Sequence, residues 1–380
     1  MLYSPHVLLW EKETPDNMSN IPISTIEKWA QTAFLAATQH IGIQCLLGIG
    51  GGDKFLLDDV ATTTALEMLP QVTPVPISCV IGEGKKDGAS GIFPGMVITP
   101  SYQLAGGYSI QLAADPLDGT TAAADNTPGA IAVLAGSVRQ PGDTTNGLWG
   151  APEGYAEKIM ISAALAAAWR EYCEGKVDFT FGDKTLIRGL PLLDQDLTCF
   201  LAFAQKVLGR RVAVEFLGGR ARNAYVLNAV RQVGALPHPI GSGDVASAVR
   251  IQEDYHNVDI YVGIGGSPEG VIAAAVLKCT DGYMEMRPWF SNDAEGEEDR
   301  AELIANGIKP DMVYTMAELV PGEVFFSMTA VTDACFGRGV RLTDGTAIET
   351  VSYTGRSCTK STNTVQTLHR DPPALILANR

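Results

Sequence analysis

The chain has 380 residues, which is room for two domains or one large one at roughly 150 residues per domain. Its residues are 46% hydrophobic and 19% charged, a composition that excludes a disordered or fibrous chain. Lys and Arg number 28 against 43 Asp and Glu, so the formal net charge of −15 argues against nucleic acid as a partner.

The first predicted element is an amphipathic helix over residues 24–41. Ser24 and Glu27 have the spacing of a capping box, S-x-x-E. Apolar residues recur along one side of this segment at helical spacing: Ile26, Trp29, Ala30, Ala33, Phe34 and Ala37. A glycine-rich turn follows over residues 48–54, and the segment TTTALEML then predicts a second helix.

Short apolar runs bounded by turn residues predict buried strands over residues 77–81, 109–114, 130–135, 212–217 and 258–264. Helical patterns alternate with the later runs, over residues 195–208, 222–233, 243–252 and 268–279. This alternation predicts an α/β protein. The acidic segment 291–300 predicts a solvated loop that leads into a helix.

A polar, glycine-containing stretch over about residues 171–195 interrupts the alternation and predicts a domain boundary. The expected division is an N-terminal α/β domain over 21–170, a C-terminal α/β domain over 190–335, and a tail over 336–380 that packs on the core. No internal repeat is visible in the sequence.

Cysteine spacing and the N-terminal residues predict a cytoplasmic protein without a membrane partner. The seven cysteines are odd in number and widely spaced, with no pair at the interval of a zinc or redox motif. The short apolar run at the N-terminus has no basic region before it, unlike a signal peptide. The most apolar helical stretch, over residues 159–169, is far too short to span a bilayer.

The glycine clusters do not fit a nucleotide-binding motif. The third glycine of G-x-G-x-x-G would fall on Asp53, Asp87 or Pro268, and the GGGDK segment lacks the Lys-Ser/Thr ending of a P-loop. What the clusters share is an adjacent carboxylate, at Asp53 and Asp58, at Glu83 and Asp87, and at Glu269.

The segment DPLDGTT, residues 115–121, adds two carboxylates directly after a predicted strand. Pro116 sets the bend, so the Asp115 and Asp118 side chains can point into the same cavity. Such oxygen ligands suit Mg²⁺ or Mn²⁺. Gly119 and Thr120 can offer backbone N–H groups to a phosphate at a helix start. Each piece alone is typical of an ordinary turn; together and in this order they favour a metal-assisted phosphate site.

The motif order resembles a known family. DPLDGT is similar to the signature of the metal-dependent, lithium-sensitive sugar and inositol phosphatases. The full series is similar to class II fructose-1,6-bisphosphatases, a group that includes cyanobacterial enzymes acting on sedoheptulose-1,7-bisphosphate. The segments that carry the resemblance are GDK with Asp58, IGEG (81–84), DPLDGT (115–120), AIAVLA (130–135), APEGYAEK (151–158), GDVASA (243–248) and GIGGSPEGV (263–271).

The resemblance implies two layered domains of αβαβα, sugar-phosphatase-like architecture, a small sugar phosphate as substrate, and a homo-oligomer, dimer or tetramer. It implies two or more Mg²⁺ or Mn²⁺ ions, one held by Asp58 and Glu83 and a second by Asp115, Asp118 and Glu269. Asp87 and Thr120 fall where the family activates water. The implied substrate-contacting residues are Asp118, Gly119, Thr120, Tyr155, Asp244 and Gly266, with Arg220, Arg222 and Ser242 at divergent positions.

Several departures concern the sugar side. The family's Lys-Pro-Arg-His segment is absent, which leaves Arg220 and Arg222 to meet a second anionic group, and Ser242 replaces an Asp. Asp118 stands where the family usually has Glu, and Lys85 stands where an acidic residue is usual. The expected activity is hydrolysis of fructose-1,6-bisphosphate, sedoheptulose-1,7-bisphosphate, or both. The alternatives are a phosphatase retuned to another sugar phosphate and a non-catalytic phosphosugar-binding subunit.

Overall fold

The computed structural model describes residues 21–82, 91–101, 106–252, 258–343 and 347–370. Contacts divide the chain into two compact units: unit 1 comprises Met1–Gly150 and Val320–Arg380, and unit 2 comprises Ala151–Leu319. Helices and sheets are mixed in both units, which confirms the α/β class expected from the sequence. In the described part of the chain, no helix is long and apolar enough to cross a membrane.

Unit 1 begins with two long helices that pack on a sheet. Phe34, Leu57 and Leu112 belong to a large apolar core that joins these helices to the strands. The elements up to residue 150 are α1 Ile23–Cys45, α2 Lys54–Val72, β1 Ile77–Ile81, β2 Val97–Ile98, β3 Ser109–Asp118, α3 Thr120–Ala124 and β4 Ile131–Arg139.

Helix α1 confirms the predicted apolar face but not the predicted cap. All six apolar residues of that face are buried. The helix begins one residue earlier than expected, and Pro22 is its N-cap residue without a side-chain hydrogen bond. Glu27 is buried, and its Oε2 accepts from the Cys358 thiol at 3.4 Å. Glu27 therefore packs against the C-terminal strands and does not close a capping box.

Unit 2 contains a second sheet with helices packed against it. The elements are β5 Tyr155–Ile161, α4 Ala163–Glu174, β6 Thr180–Phe181, β7 Lys184–Thr185, α5 Leu197–Leu208, β8 Ala213–Leu217, α6 Ala224–Val233, β9 Leu236–Ile240, α7 Ser247–Arg250, β10 Ile260–Gly266, α8 Ser267–Cys279, β11 Tyr283–Trp289, α9 Ala294–Ala305, β12 Tyr314–Thr315 and α10 Met316–Leu319. The strand order of the sheet is β12-β11-β5-β10-β8-β9, and β6 and β7 form a separate pair.

Two predicted helices of unit 2 differ from the structure. The apolar stretch 159–169 is a strand end followed by a helix, because Ser162 caps α4 by accepting from the Leu165 N–H. The pattern over 243–252 forms only the four-residue helix α7, since Gly243 has a φ of 76°. The acidic segment 291–300 does lead into a helix, α9, which Asp293 caps by accepting from the Gly296 N–H at 3.0 Å.

The chain returns to unit 1 and completes its sheet with β13 Phe325–Ala330, β14 Arg341–Thr343, β15 Ala347–Arg356 and β16 Ser361–His369. The strand order is β14-β15-β13-β4-β3-β1-β2, and β16 pairs with β15. Strand β5 pairs with β10 and β11, whereas β13 pairs with β4. The units therefore divide at 150/151 and 319/320, where the sequence predicts boundaries near 170–190 and at 335/336.

Candidate active site

The end of β3 places two of the predicted carboxylates on one face of the sheet of unit 1. Asp115 lies opposite Val133 on β4 and Asp118 lies opposite Ile131, with a register shift between the two pairs. Residues three apart on a regular strand point to opposite faces. The extra residue in β3 forms a bulge that restores a common face, a device that re-aims side chains next to functional sites.

A glycine in the left-handed region turns the chain from β3 into α3. Gly119 has a φ of 86°, and a Cβ there would lie 3.1 Å from the Gly129 carbonyl oxygen. Only glycine fits this turn without strain. The turn presents Thr120, whose hydroxyl lies 2.8 Å from Asp58 Oδ1 and 3.1 Å from the Leu117 carbonyl oxygen. Since the hydroxyl has a single proton, it donates to one of these acceptors at a time.

The glycine-rich turn before α2 packs against α3 and thereby places Asp58. The Gly50 N–H donates to the Ala123 carbonyl at 3.0 Å, and the Gly52 N–H donates to the Ala124 carbonyl at 3.0 Å. Asp53 then caps α2, accepting from the Leu56 N–H at 3.0 Å. This cluster of glycines closes α3 against the start of α2 and so fixes the hydrogen bond between Asp58 and Thr120.

Two predicted site residues, Glu83 and Asp87, lie outside the described residues. The implied role of Asp87 beside Thr120 in activating water therefore stays a prediction, and the carboxylate that Thr120 contacts in the structure is Asp58. Within the described ranges, no group of three or more His, Cys, Asp or Glu side chains could by itself hold a metal ion. The caging of ions by five carboxylates remains a prediction.

The start of α8 in unit 2 contains buried polar atoms for which the described residues provide no partner. Glu269 Oε2 and Ser267 Oγ are buried, and neither makes a hydrogen bond within the described part of the chain. Burial, together with the negative charge of Asp244, raises the pKa of Glu269, and the positive charge of Lys158 opposes this shift. A buried carboxylate oxygen without a donor suits a bound cation, so Glu269 fits the metal ligand implied by the sequence.

Asp244 is held by two buried donors. Lys158 Nζ lies 2.5 Å from Asp244 Oδ2 and 2.8 Å from the Gly266 carbonyl oxygen. The Tyr261 hydroxyl donates to the same Oδ2 at 3.0 Å. Burial and the charge of Asp244 raise the pKa of Tyr261 well above its ordinary value, which keeps its hydroxyl a donor. Sequence reasoning missed Lys158, although a lysine inside the apolar strand YAEKIMI is a signal that could have found it.

Three predicted substrate residues come together beside β5. Tyr155 lies opposite Gly266 on β10, and the Arg222 guanidinium carbon lies 4.1 Å from the centre of the Tyr155 ring. Tyr155 is 48% exposed. Arg220 is exposed and Ser242 is half-buried, in the loops that follow β8 and β9. An exposed aromatic ring under a guanidinium offers a cationic, partly apolar surface to an anionic ligand.

Comparison with known proteins decides the family. A family model described as bacterial fructose-1,6-bisphosphatase, glpX-encoded, matches residues 29–369. The chain belongs to this family. The resemblance inferred from the motif order is thereby confirmed.

Relatives of this fructose-1,6-bisphosphatase family member are similar over most of their length. The protein named D-fructose 1,6-bisphosphatase class 2/sedoheptulose 1,7-bisphosphatase of Crocosphaera subtropica is 30% identical, over 84% of this chain and 90% of that protein. The protein of the same name from Synechococcus elongatus is 29% identical, over 90% and 97%. Fructose-1,6-bisphosphatase 1 class 2 of Escherichia coli is 28% identical, over 88% and 94%.

A solved structure, an extragenic suppressor from Pyrococcus furiosus, matches with 14% identity and a TM-score of 0.27, over 59% of this chain and 70% of that one. A score this low supports no argument.

In this member of the fructose-1,6-bisphosphatase family, unit 2 also has a buried ion cluster that sequence reasoning missed. Glu215 on β8 is fully buried; its Oε2 lies 2.8 Å from Arg250 Nε and 3.0 Å from His238 Nδ1. Burial alone would raise the pKa of Glu215, but the hydrogen bond from His238 and the charge of Arg250 lower it. The hydrogen bond to Glu215 raises the pKa of His238.

This cluster predicts a pH-dependent contribution to stability. Because the pKa of His238 is raised, its charged form stabilises the folded chain fully below the unfolded-state value of about 6.5. The contribution is lost as the pH rises through the higher folded-state value. We expect His238→Gln to lower Tm at about pH 5.5 and to have a smaller effect at about pH 9, as measured by thermal unfolding. A Tm difference that does not change with pH would contradict this assignment.

Proposed function

We propose that this protein is a metal-dependent phosphomonoester hydrolase that removes a phosphate from fructose-1,6-bisphosphate, sedoheptulose-1,7-bisphosphate, or both. Family membership over residues 29–369 and the names of the relatives support this activity. The observation that carries it is the turn after β3, where Asp115 and Asp118 share a face and the Thr120 hydroxyl lies 2.8 Å from Asp58 Oδ1. Carboxylates and a positioned hydroxyl are the groups that metal-assisted hydrolysis needs.

The donor set supports Mg²⁺ or Mn²⁺ as the cofactor. We propose Asp58, Asp115 and Asp118 of unit 1 and Glu269 of unit 2 as metal ligands, with Glu83 outside the described residues. All are carboxylates, which hard divalent ions prefer, and Glu269 offers a buried oxygen to which no described residue donates a hydrogen bond. When bound, such ions neutralise phosphate charge and lower the pKa of a bound water.

The chain's own groups have separate roles in this proposal. Thr120, anchored on Asp58, orients the water that attacks the phosphorus, and Asp87 is proposed to share this task. Backbone N–H groups at Gly119 and Thr120 meet the phosphate at the start of α3. Because a phosphate monoester hydrolyses extremely slowly without a catalyst, these contacts must act mainly by positioning and charge neutralisation.

In unit 2, we propose that Tyr155, Arg222, Asp244 and Gly266 contact the sugar phosphate, together with Arg220 and Ser242. The contact of Arg222 with the Tyr155 ring and the pairing of Tyr155 with Gly266 support this grouping. A guanidinium held over an exposed ring remains available to a phosphate oxygen.

A second candidate is a phosphatase retuned to another sugar phosphate. The segment after β8 reads GGRARN, so Arg220 and Arg222 replace a longer basic segment on the sugar side. A panel of sugar mono- and bisphosphates, assayed for released phosphate with Mg²⁺ or Mn²⁺, separates the two candidates. Bisphosphates as the best substrates would support the first, and a preferred monophosphate would support the second. Phosphosugar binding without phosphate release under either metal would instead identify a non-catalytic binding subunit.

We expect Asp115→Asn to lower kcat for phosphate release by about 1,000-fold, since metal charge stabilises the transition state by several kcal/mol. Asparagine keeps the oxygen that accepts from the Leu117 N–H at 3.1 Å, so Tm should change little. The measurement is steady-state phosphate release with saturating Mn²⁺. Asp143→Asn, in an exposed loop of unit 1, is the control. Undiminished turnover by a folded Asp115→Asn variant would overturn the assignment.

The chain is further proposed to act as a cytoplasmic homo-oligomer, a dimer or tetramer, as the family resemblance implies. None of the seven cysteines forms a disulfide, which is the state that a reducing compartment maintains. Size-exclusion chromatography with light scattering measures the number of subunits.

A further inference from the structure

A fully buried lysine lies in the middle of the sheet of unit 2. Lys158 is on β5, opposite Gly263 on β10 and Met286 on β11, and its side chain is 0% exposed. Taking an ammonium out of water costs several kcal/mol unless partners compensate for the loss of solvent. The fold keeps this charge only because its partners are in place.

The partners of Lys158 belong to two separate segments. Asp244 lies between β9 and α7, and Gly266 is the N-cap residue of α8, three residues before Glu269. The ammonium lies 2.5 Å from Asp244 Oδ2 and 2.8 Å from the Gly266 oxygen. The Lys158 ammonium thus connects Asp244, a proposed substrate contact, to the start of α8, the helix that carries the proposed metal ligand Glu269.

Close packing fixes the position of this ammonium. A Cβ at Gly265 would lie 2.1 Å from Asp244 Oδ2 and 3.1 Å from Lys158 Nζ, and a Cβ at Gly270 would lie 3.2 Å from Lys158 Cδ. A side chain at Gly265 would displace the pair, and one at Gly270 would crowd the lysine stem. Because Gly265 and Gly270 have no side chains, the Lys158 side chain fits closely between them.

We propose that Lys158 is a positioning residue for the phosphatase reaction, which sets the place of Asp244 and of the α8 N-terminus without touching the substrate. This inference rests on the proposed function. Asp244 carries a second donor, the Tyr261 hydroxyl, on the same oxygen, so both of its buried contacts come from strands of the sheet. A carboxylate held from the sheet is a fixed acceptor for sugar hydroxyls.

The test replaces the ammonium and keeps the stem, in Lys158→Met. With fructose-1,6-bisphosphate and saturating Mn²⁺, we expect kcat/KM to fall by about 100-fold, with KM raised and kcat lowered, because a misplacement of about 1 Å has such an effect. Calorimetry with fructose 6-phosphate and no metal supplies a readout besides activity, and we expect binding about tenfold weaker. Unchanged kinetic constants and binding in the folded variant would overturn the proposal.

A double-mutant cycle tests whether Lys158 acts through Asp244. If it does, Lys158→Met/Asp244→Asn should bind and turn over like Asp244→Asn alone, whereas additive losses would contradict the proposal. The double variant removes both charges of the Lys158–Asp244 pair, so it provides the measurement if Lys158→Met, which leaves Asp244 without its ammonium partner, does not fold. A folded double variant with wild-type KM would overturn the proposal as well.

Loss of a partly buried ion pair elsewhere in unit 2 is the control for stability. Arg210 Nη1 and Nη2 lie 2.8 and 2.5 Å from the carboxylate oxygens of Asp259, which is 6% exposed. Arg210→Met should lower Tm while kcat and KM stay unchanged. The wild type is assayed first: if it releases phosphate from no sugar phosphate, the proposed function fails and this inference falls with it. Wild-type activity together with an unaffected Lys158→Met variant refutes the positioning role alone.

Discussion

Gly266→Ala is expected to lower kcat/KM for phosphate release by about 100-fold or more, because it displaces the carboxylate of Glu269. A Cβ at residue 266 would lie 1.9 Å from Glu269 Oε2 and 2.3 Å from its Cδ. The nearest atoms are those of a flexible side chain, so Glu269 has to rotate away while the backbone stays. The backbone of Gly266, with φ −61° and ψ 139°, suits alanine. Tm should therefore change little.

The measurement for Gly266→Ala is a Mn²⁺ titration of phosphate release beside a thermal unfolding curve. If Glu269 holds an ion, the Mn²⁺ concentration for half-maximal activity should rise. Gly241→Ala is the matched control, since a Cβ there meets nothing within 4 Å. Full activity of Gly266→Ala at wild-type Mn²⁺ concentrations would remove Glu269 from the metal ligands. A large loss of Tm would show that the effect is on folding.

Periodicity predicted most of the long helices and five strands of the two sheets, β1, β3, β4, β8 and β10, because these elements bury apolar residues at regular intervals. The strand over 77–81 matches β1, and the helix over 268–279 begins one residue early, as α8. The last strand, β16, escaped prediction for the opposite reason. Strand β16 consists mainly of polar residues with few apolar ones, and its residues are exposed or half-buried. Its place follows from pairing with β15, which local sequence does not encode.

The site shows the same division between local and long-range information. The carboxylates at Asp115 and Asp118 were visible in the sequence, but their common face depends on a bulge that only the pairing with β4 defines. Lys158 and Asp244 are 86 residues apart, and nothing local indicates that one neutralises the other. Sequence reasoning found site residues that lie beside recognisable turns, such as Asp115 and Asp118. It missed Lys158, whose partner Asp244 lies in a distant segment of the chain.

Thr120→Val is expected to lower kcat by about 100-fold or more, because it removes the hydroxyl that lies 2.8 Å from Asp58 Oδ1 while keeping the side-chain shape. Thr120→Ser retains the hydroxyl and should keep most of the activity. The measurement is kcat and KM for fructose-1,6-bisphosphate at saturating Mn²⁺, with Tm recorded for each variant. A positioning hydroxyl affects kcat more than KM, since it acts on the attacking water and not on the sugar.

Thr32→Val is the control for loss of a threonine hydroxyl, because the one partner of Thr32 Oγ1 among the described residues is the Lys28 carbonyl, at 2.9 Å, within helix α1. Its kinetic constants should match the wild type. If Thr120→Val were as active as Thr120→Ser, the hydroxyl would serve only to close the turn after β3, through the Leu117 carbonyl at 3.1 Å. Loss of activity in the valine variant alone, with Tm retained, would instead assign the hydroxyl to the reaction, because both variants keep the packing of the turn.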